Sequence, residues 1–184
     1  ARVTMTSVDQ MMELPQERNF EERPLSRKVL QGAIECRQLN FTYPEQQNPA
    51  LKNINLVIRP GEKIGIIGRS GSGKSTLARL LMAFYSADEG QILLDNLDLR
   101  QLDVADLRHQ IGYVAHDLPL LAGSLRDNLT LGARYISDAR MLEVAELTGV
   151  VDLARQHPQG FDRPVGERGQ LLSGGQRQAV LLAR

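Results

Sequence analysis

The sequence predicts an α/β fold, and three features of the residue pattern support this prediction. Strand-like segments with alternating or almost wholly apolar residues dominate the region after residue 33. A glycine-rich loop separates one of these segments from a helix-like stretch. From Ser124 onward, apolar residues recur at helical spacing. The order of these segments indicates a sheet region followed by a helical region.

The strand predictions rest on the spacing of apolar side chains. Ile34–Phe41 has apolar residues at even spacing, and Leu51–Ile58 alternates apolar and polar residues, as half-buried strands do. Residues 63–67 are almost wholly apolar, which is typical of a strand covered on both faces. Residues 91–95 and 111–114 are further predicted strands, and residues 76–85 are a predicted helix.

The first 33 residues differ from the domain that follows, residues 34–184. Met5, Val8 and Met12 have helical spacing that ends at Pro15, and the charged run after it is typical of a linker. Taken alone, these residues favour a frayed terminal helix over a functional linker.

The composition excludes several classes of protein. The 184 residues carry no net charge, so nothing in the totals points to nucleic acid as a partner. No apolar run has the 18 residues of a membrane span, and the start lacks the pattern of a signal peptide. A single cysteine, Cys36, rules out an internal disulfide and is expected to be a packed thiol. These features predict a soluble domain of cytosolic type.

The glycine-rich loop has the spacing G-x-x-x-x-G-K-[ST] of a phosphate-binding loop. Its residues are Gly68, Arg69, Ser70, Gly71, Ser72, Gly73, Lys74 and Ser75, followed by Thr76. Glycines let successive backbone N–H groups converge on phosphates at the positive end of the next helix. Lys74 would contribute a full charge to the β- and γ-phosphates, and the Ser75 hydroxyl would be a ligand of Mg²⁺. The loop therefore predicts binding of a nucleoside triphosphate with Mg²⁺.

A second glycine-containing segment lies about a hundred residues after the first. Leu172 is followed by Ser173, Gly174, Gly175 and Gln176, just before a helix-like run. This pattern predicts another anion-binding helix N-terminus. One nucleotide does not easily need two such sites from one chain, so the pattern suggests a site shared by two copies. A loop with a simple helix cap is the alternative.

Together these motifs resemble the ATP-binding-cassette (ABC) ATPases, whose signature is LSGGQ. The resemblance covers residues 34–184 and implies a P-loop core sheet, an antiparallel β subdomain and a helical subdomain. It implies that Tyr43 stacks on adenine and that Gly68 to Thr76 bind the phosphates. It also implies that Ser173 to Gln176 face the γ-phosphate held by a second protomer, in a head-to-tail homodimer with two ATP molecules. The segment VGERG, residues 165–169, resembles a loop that touches the membrane domains in exporters.

One position departs from the family pattern. Where the family places a glutamine that reaches Mg²⁺ and senses the membrane domain, this sequence has His116. A histidine ligates metal only when neutral, so the substitution puts Mg²⁺ coordination and coupling in question. His116 is therefore a candidate metal ligand beside Ser75.

Within the family, the chain looks most like exporters that fuse a membrane domain to the ATPase, of the haemolysin or large-adhesin type of type I secretion. That likeness implies residues 1–33 continue from the membrane domain of the same polypeptide, at the cytoplasmic face of a bacterial inner membrane. It also implies that the Mg²⁺-binding Asp, the general-base Glu and the switch His lie beyond Arg184. We therefore expect a fragment that binds ATP and hydrolyses it negligibly.

Three alternatives differ in class from a transport ATPase. A degenerate, binding-only cassette would regulate an ABC dimer, and His116 is the feature that suggests it. Chromosome-maintenance and DNA-repair ATPases share LSGGQ, but they place a long coiled coil between the two motifs, and this sequence has none. A small-molecule kinase would need a basic lid and no LSGGQ. The transported substrate, and whether import is excluded, stay open at the level of sequence.

Overall fold

The computed structural model describes residues 24–115, 118–131 and 135–184. The chain divides into two compact units, Ala1–Gly112 and Tyr113–Arg184. The named strands all belong to the first unit, and the regular structure of the second is helical. No helix in the described ranges combines the length and the apolar character that crossing a membrane requires. The predicted α/β fold, with an antiparallel sheet and a helical region, is confirmed.

The sheet of the first unit has the strand order β2-β1-β3-β4, and each neighbouring pair is antiparallel. The strands are β1 (Ile34–Phe41), β2 (Leu51–Ile58), β3 (Glu89–Leu94) and β4 (Leu97–Asp98). The strands β1 and β2 have the bounds that the spacing of their apolar residues predicted, and the strand predicted at 91–95 is β3. The predictions held because each strand turns alternate side chains toward the core, apart from a register shift between Cys36 and Leu39 of β1.

The helices of the first unit are α1 (Lys74–Leu81) and α2 (Val104–Gln110). Leu77 and Leu80 of α1 and Leu107 of α2 are buried in one core with Cys36 and the other inward side chains of the sheet. The helix α1 ends four residues before the predicted end. Ala83 there has a left-handed backbone (φ 52°), and the Phe84 N–H donates to the carbonyl of Arg79, which closes the helix.

Two predicted strands do not form in the structure. Residues 63–67 and 111–114 belong to no strand, and Ile67 is 99% exposed. A strand needs a neighbour for its N–H and C=O groups, and an apolar strand of a parallel sheet needs cover on both faces. No strand among the described residues runs beside either segment, so their apolar character did not suffice to make them strands.

Residues 24–33 lie along the first unit, held by hydrogen bonds. The Leu25 N–H donates to the Gln101 carbonyl at 2.7 Å. The Gln110 side chain accepts from the Leu30 N–H at 2.7 Å and donates to the Arg27 carbonyl at 2.6 Å. The Asp95 carboxylate accepts from the N–H groups of Gln31 and Ala33 at 2.7 and 2.9 Å. This part of the predicted linker is therefore attached to the domain, and residues 1–23 lie outside the described residues.

The helices of the second unit are α3 (Leu125–Leu129), α4 (Asp138–Thr148), α5 (Val150–Arg155) and α6 (Gly174–Ala183). The helical spacing predicted from Ser124 onward is confirmed. Met141 and Ala145 of α4 and Val150 and Leu153 of α5 are buried in one core, where Val180 and Leu181 of α6 join them.

Candidate functional site

The predicted phosphate loop leads into α1, whose first residue is Lys74. Gly73 precedes the helix with φ 85° and ψ 5°, and no side chain caps the helix N-terminus. A Cβ at Gly73 would lie 2.6 Å from the Ala50 carbonyl oxygen and 2.6 Å from Leu51 Cδ2. Only glycine fits there, because the backbone is left-handed and pressed against the start of β2. The loop therefore presents an uncapped helix N-terminus, with N–H groups available to an anion.

The ammonium group of Lys74 lies within this loop. It donates to the carbonyl oxygens of Gly68 and Arg69 at 2.8 and 2.7 Å and to Ser72 Oγ at 3.3 Å. The Ser72 N–H donates to the Arg69 carbonyl at 3.2 Å, which turns the loop around the charge. A full positive charge is thus held beside the open N-terminus of α1, where both favour the same anionic ligand.

The two hydroxyl residues after Lys74 have different surroundings. Ser75 is exposed to solvent. Thr76 is 6% exposed, and its Oγ1 accepts a hydrogen bond from the Tyr43 hydroxyl at 3.1 Å. The remaining predicted contacts, Arg69, Ser70, Gly71 and Ser72, lie on exposed parts of the loop.

Tyr43 is half-buried in an aromatic cluster. Its ring lies edge-to-face with Phe41 and with Tyr85, at centroid distances of 5.0 and 5.3 Å. Its hydroxyl also accepts a hydrogen bond from Arg79 Nη1 at 3.1 Å. Arg79 and Tyr85 belong to no motif of the sequence. The signal for Arg79 was its spacing, since it follows Thr76 by three residues and so lies on the same face of α1.

The predicted second anion site lies at the start of α6. Ser173 is its N-cap, with Ser173 Oγ accepting from the Gln176 N–H at 3.3 Å and Gln176 Oε1 accepting from the Ser173 N–H at 2.9 Å. These reciprocal bonds form a capping box. Gly174 and Gly175 are exposed in the first helical turn, and a Cβ at Gly175 would meet nothing within 4 Å.

The far end of α6 is anchored by a buried amide. Asn128 of α3 is fully buried and donates to the carbonyls of Leu121 and Ser124 at 2.9 and 3.0 Å. Arg184 Nη2 donates to Asn128 Oδ1 at 2.8 Å, and burial lowers the pKa of this guanidinium. Asn128 was not predicted from the sequence, since a single asparagine in a helical pattern gives no sign of burial.

In the loop before α6, Val165 is fully buried. Glu167 and Arg168 are exposed, and Arg168 has a left-handed backbone (φ 52°). Gly169 is buried, and a Cβ there would lie 2.9 Å from Leu120 Cδ1 and from Arg177 Cδ. The loop thus exposes the opposite charges of Glu167 and Arg168 between the buried residues Val165 and Gly169.

The structure brings some predicted site residues together within each unit. In the first unit, Lys74 contacts the phosphate loop, and Tyr43 contacts Thr76. Ser173 and Gln176 contact each other in the second unit.

His116, the candidate metal ligand, lies outside the described residues. Residues 24–115, 118–131 and 135–184 hold no group of three His, Cys, Asp or Glu side chains that could bind a metal ion. Cys36 is a buried free thiol with a pKa raised by burial, as expected of a packed cysteine.

Comparison with known proteins adds a family match. The family model described as ABC transporter matches residues 51–184. The chain is 46% identical over 166 residues to the alpha-hemolysin translocation ATP-binding protein HlyB of Escherichia coli O157:H7, a match that covers 89% of the chain and 24% of that protein. It is 39% identical over 175 residues to the ATP-dependent lipid A-core flippase of Escherichia coli K12, covering 95% of the chain and 30% of the flippase. The chain thus spans about a quarter to a third of the length of these relatives.

A solved structure shows a similar fold. The structure of a bacterial Atm1-family ABC exporter with ATP bound superposes on 98% of the chain with a TM-score of 0.88, at 30% sequence identity. The matched part is 32% of the exporter chain.

Proposed function

The chain belongs to the ABC transporter family, and from this premise we propose that it binds ATP with Mg²⁺ and powers export across a membrane as part of a longer polypeptide. The observation that carries the proposal is the phosphate loop. It combines an uncapped helix N-terminus with the Lys74 ammonium among the loop carbonyls, beside the exposed hydroxyl of Ser75. This arrangement suits a polyphosphate, because donors and positive charge converge without intervening side chains.

The residues that would hold each part of the ligand follow from these positions. The N–H groups of Gly68 to Thr76 and the ammonium of Lys74 would bind the phosphates, and Tyr43 would stack on adenine. Mg²⁺ would bind Ser75 and phosphate oxygens, which suits an ion that commonly takes few protein ligands in nucleotide sites. When bound, Mg²⁺ neutralises phosphate charge and orients the phosphates. His116 is a further candidate ligand by its position in the sequence.

We propose that two copies form a head-to-tail dimer with two ATP molecules between them. Ser173, Gly174, Gly175 and Gln176 of one copy would face the γ-phosphate bound by the other. The exposure of both glycines at the start of α6 supports this proposal, since backbone without side chains allows close approach. Binding of ATP would close the dimer, and its hydrolysis would open it.

Protein export is the transport class we propose, with the domain at the cytoplasmic face of a bacterial inner membrane. The identity to the hemolysin translocation protein, 46%, exceeds the 39% identity to the lipid A-core flippase. Residues 1–33 would then connect the membrane domain of the same polypeptide to the first unit through the contacts of residues 24–33. The intact protein in sealed vesicles should transport a polypeptide. Transport of a lipid instead would replace this proposal.

The test of nucleotide binding is equilibrium titration of the 184-residue chain with ATP, with and without Mg²⁺. Lys74→Ala should weaken binding by about 10- to 100-fold, the effect of losing hydrogen bonds and a charge on phosphate. Lys28→Ala, which removes an exposed lysine outside the loop, is the matched control and should bind as the wild type does. If Lys74→Ala bound ATP as tightly as the wild type does, the assignment of this loop as a nucleotide site would be wrong.

We further propose that this chain alone does not turn ATP over. Hydrolysis needs a general base for the attacking water, and the family resemblance matches none of the 184 residues to that base. Phosphate release should therefore stay at the rate of the Lys74→Ala variant. Steady release that Lys74→Ala abolishes would contradict this proposal.

A further inference from the structure

We propose that Arg79 is a positioning residue for the nucleotide base: its guanidinium holds the Tyr43 ring, through the phenolic oxygen, in the orientation that stacks on a purine. The inference rests on the proposed ATP-binding function and adds to it a residue outside every motif of the sequence. Arg79 would act on binding of the base, whereas Lys74 and Ser75 would act on binding of the phosphates and their Mg²⁺.

The hydroxyl of Tyr43 has a partner for each of its hydrogen-bonding roles. It accepts from Arg79 Nη1 at 3.1 Å and donates to Thr76 Oγ1 at 3.1 Å. Both partners belong to α1, which begins at Lys74. A phenolic oxygen with two defined partners resists displacement of the ring, because displacement would leave the partly buried Arg79 and Thr76 groups without these bonds.

Packing restricts the same ring from the sides. Phe41 of β1 and Tyr85 lie edge-to-face with Tyr43, at interplanar angles of 78° and 87°. Tyr43 nevertheless keeps part of its surface in solvent, unlike Phe41, which is 3% exposed. An aromatic ring that is fixed at its hydroxyl and at its edges, and still partly exposed, suits a flat ligand such as a purine.

The bond to Arg79 also links the ring to the phosphate site. Arg79 lies five residues after Lys74 on the same helix, so the ring and the phosphate loop are attached to one rigid element. A ring already held in place loses less conformational entropy when a base binds. Arg79 would thus contribute to affinity for a nucleotide and contribute nothing to affinity for a phosphate chain that has no base.

The test compares two ligands, ATP and inorganic triphosphate, by calorimetric titration of the wild type and of Arg79→Ala. We expect Arg79→Ala to raise the Kd for ATP about 3- to 10-fold, the usual effect of one hydrogen bond, and to leave the Kd for triphosphate within about 2-fold. Arg100→Ala is the matched control, because that guanidinium binds Asp98 in the same unit. It should change neither constant.

Tyr43→Phe provides a second route to the same conclusion, since it removes only the hydroxyl. It should weaken ATP binding at least as much as Arg79→Ala does, since it also removes the bond to Thr76. The double variant should bind ATP no more than about 2-fold more weakly than Tyr43→Phe, because both changes remove the bond between Arg79 and Tyr43. If Arg79→Ala does not fold, the Kd values of Tyr43→Phe for ATP and for triphosphate provide the same comparison.

The outcomes separate this inference from the function on which it rests. Equal weakening of ATP and triphosphate would show that Arg79 only supports α1, and it would overturn the inference. So would unchanged ATP binding in both Arg79→Ala and Tyr43→Phe, provided that Lys74→Ala still weakens binding in the same assay. If Lys74→Ala bound ATP as tightly as the wild type does, the proposed function itself would be overturned.

Discussion

The N-termini of α1 and α6 are both predicted to meet phosphate, yet they are built differently. At α1, the residue before the helix is Gly73, no side chain caps the helix, and the Lys74 ammonium lies among the loop carbonyls. At α6, a capping box satisfies two N–H groups, those of Ser173 and Gln176. The first terminus is open to an anion, and the second is already stable without one. A ligand at α6 would therefore meet a preformed helix end, where it gains chiefly from the glycine backbone and the helix dipole.

The largest expected effect is on the open terminus. Gly73→Ala should lower the free energy of unfolding by at least about 2 kcal/mol, because it adds a left-handed alanine and a clash with the Ala50 carbonyl. Gly61→Ala is the matched control, since Gly61 is also left-handed (φ 74°) but a Cβ there would meet nothing within 4 Å. It should cost about half as much or less, in keeping with the backbone conformation alone. Equal losses in urea unfolding would mean that close packing does not decide the need for Gly73.

The capped terminus should be less sensitive. Ser173→Ala should lower the free energy of unfolding by about 1 kcal/mol, the usual cost of a lost N-cap. Ser173→Asp keeps a capping oxygen and should keep stability, but its negative charge should oppose a γ-phosphate. We therefore expect both variants to lose ATP-dependent dimer formation, measured by sedimentation. A Ser173→Asp chain that dimerises with ATP like the wild type would contradict a phosphate-facing role.

Gly175→Ala should separate stability from binding at the same terminus. The site has open space for a Cβ, and alanine is favoured over glycine in a helix by about 0.5–1 kcal/mol. The variant should thus unfold at higher urea concentration and yet form the ATP-dependent dimer less well. If it gains stability and loses no association, the glycine does not serve close approach of a ligand.

The smallest effect concerns a third helix start, that of α3, where the capping box uses a carboxylate. The Ser124 N–H, followed by the Ser124 hydroxyl, holds the pKa of Asp127 below its usual value. A lowered pKa stabilises the fold above the unfolded carboxyl pKa of about 3.9, and this contribution is lost as the pH falls through the folded value. The stability advantage of wild type over Asp127→Asn should accordingly shrink below about pH 4.

Gln176→Glu is the converse change for α6. It places a carboxylate in the amide position of that capping box and should introduce a similar loss of stability at acid pH. Urea unfolding at a series of pH values checks both variants. Absence of any pH dependence in Gln176→Glu would show that the two capping boxes are not equivalent.

Sequence reasoning succeeded where local pattern decides structure. The strands Ile34–Phe41 and Leu51–Ile58 follow from alternation, because each has one buried face. It failed at residues 63–67 and 111–114, since a strand also requires a neighbour that local composition does not reveal. Likewise, α1 ends at Leu81 because of a left-handed turn at Ala83, and alanine is not a residue that signals such a turn.

The sequence by itself determined the family and predicted the chemistry of the phosphate loop, because glycines, lysine and serine at fixed spacing would act through the backbone around them. It also indicated the helix start at Ser173, where serine and glutamine are three residues apart. Only the tertiary structure decided the partners of Tyr43, the burial of Asn128 and the attachment of residues 24–33 through Asp95 and Gln110. These contacts join residues distant along the chain, and no local pattern encodes which polar groups packing will bring together.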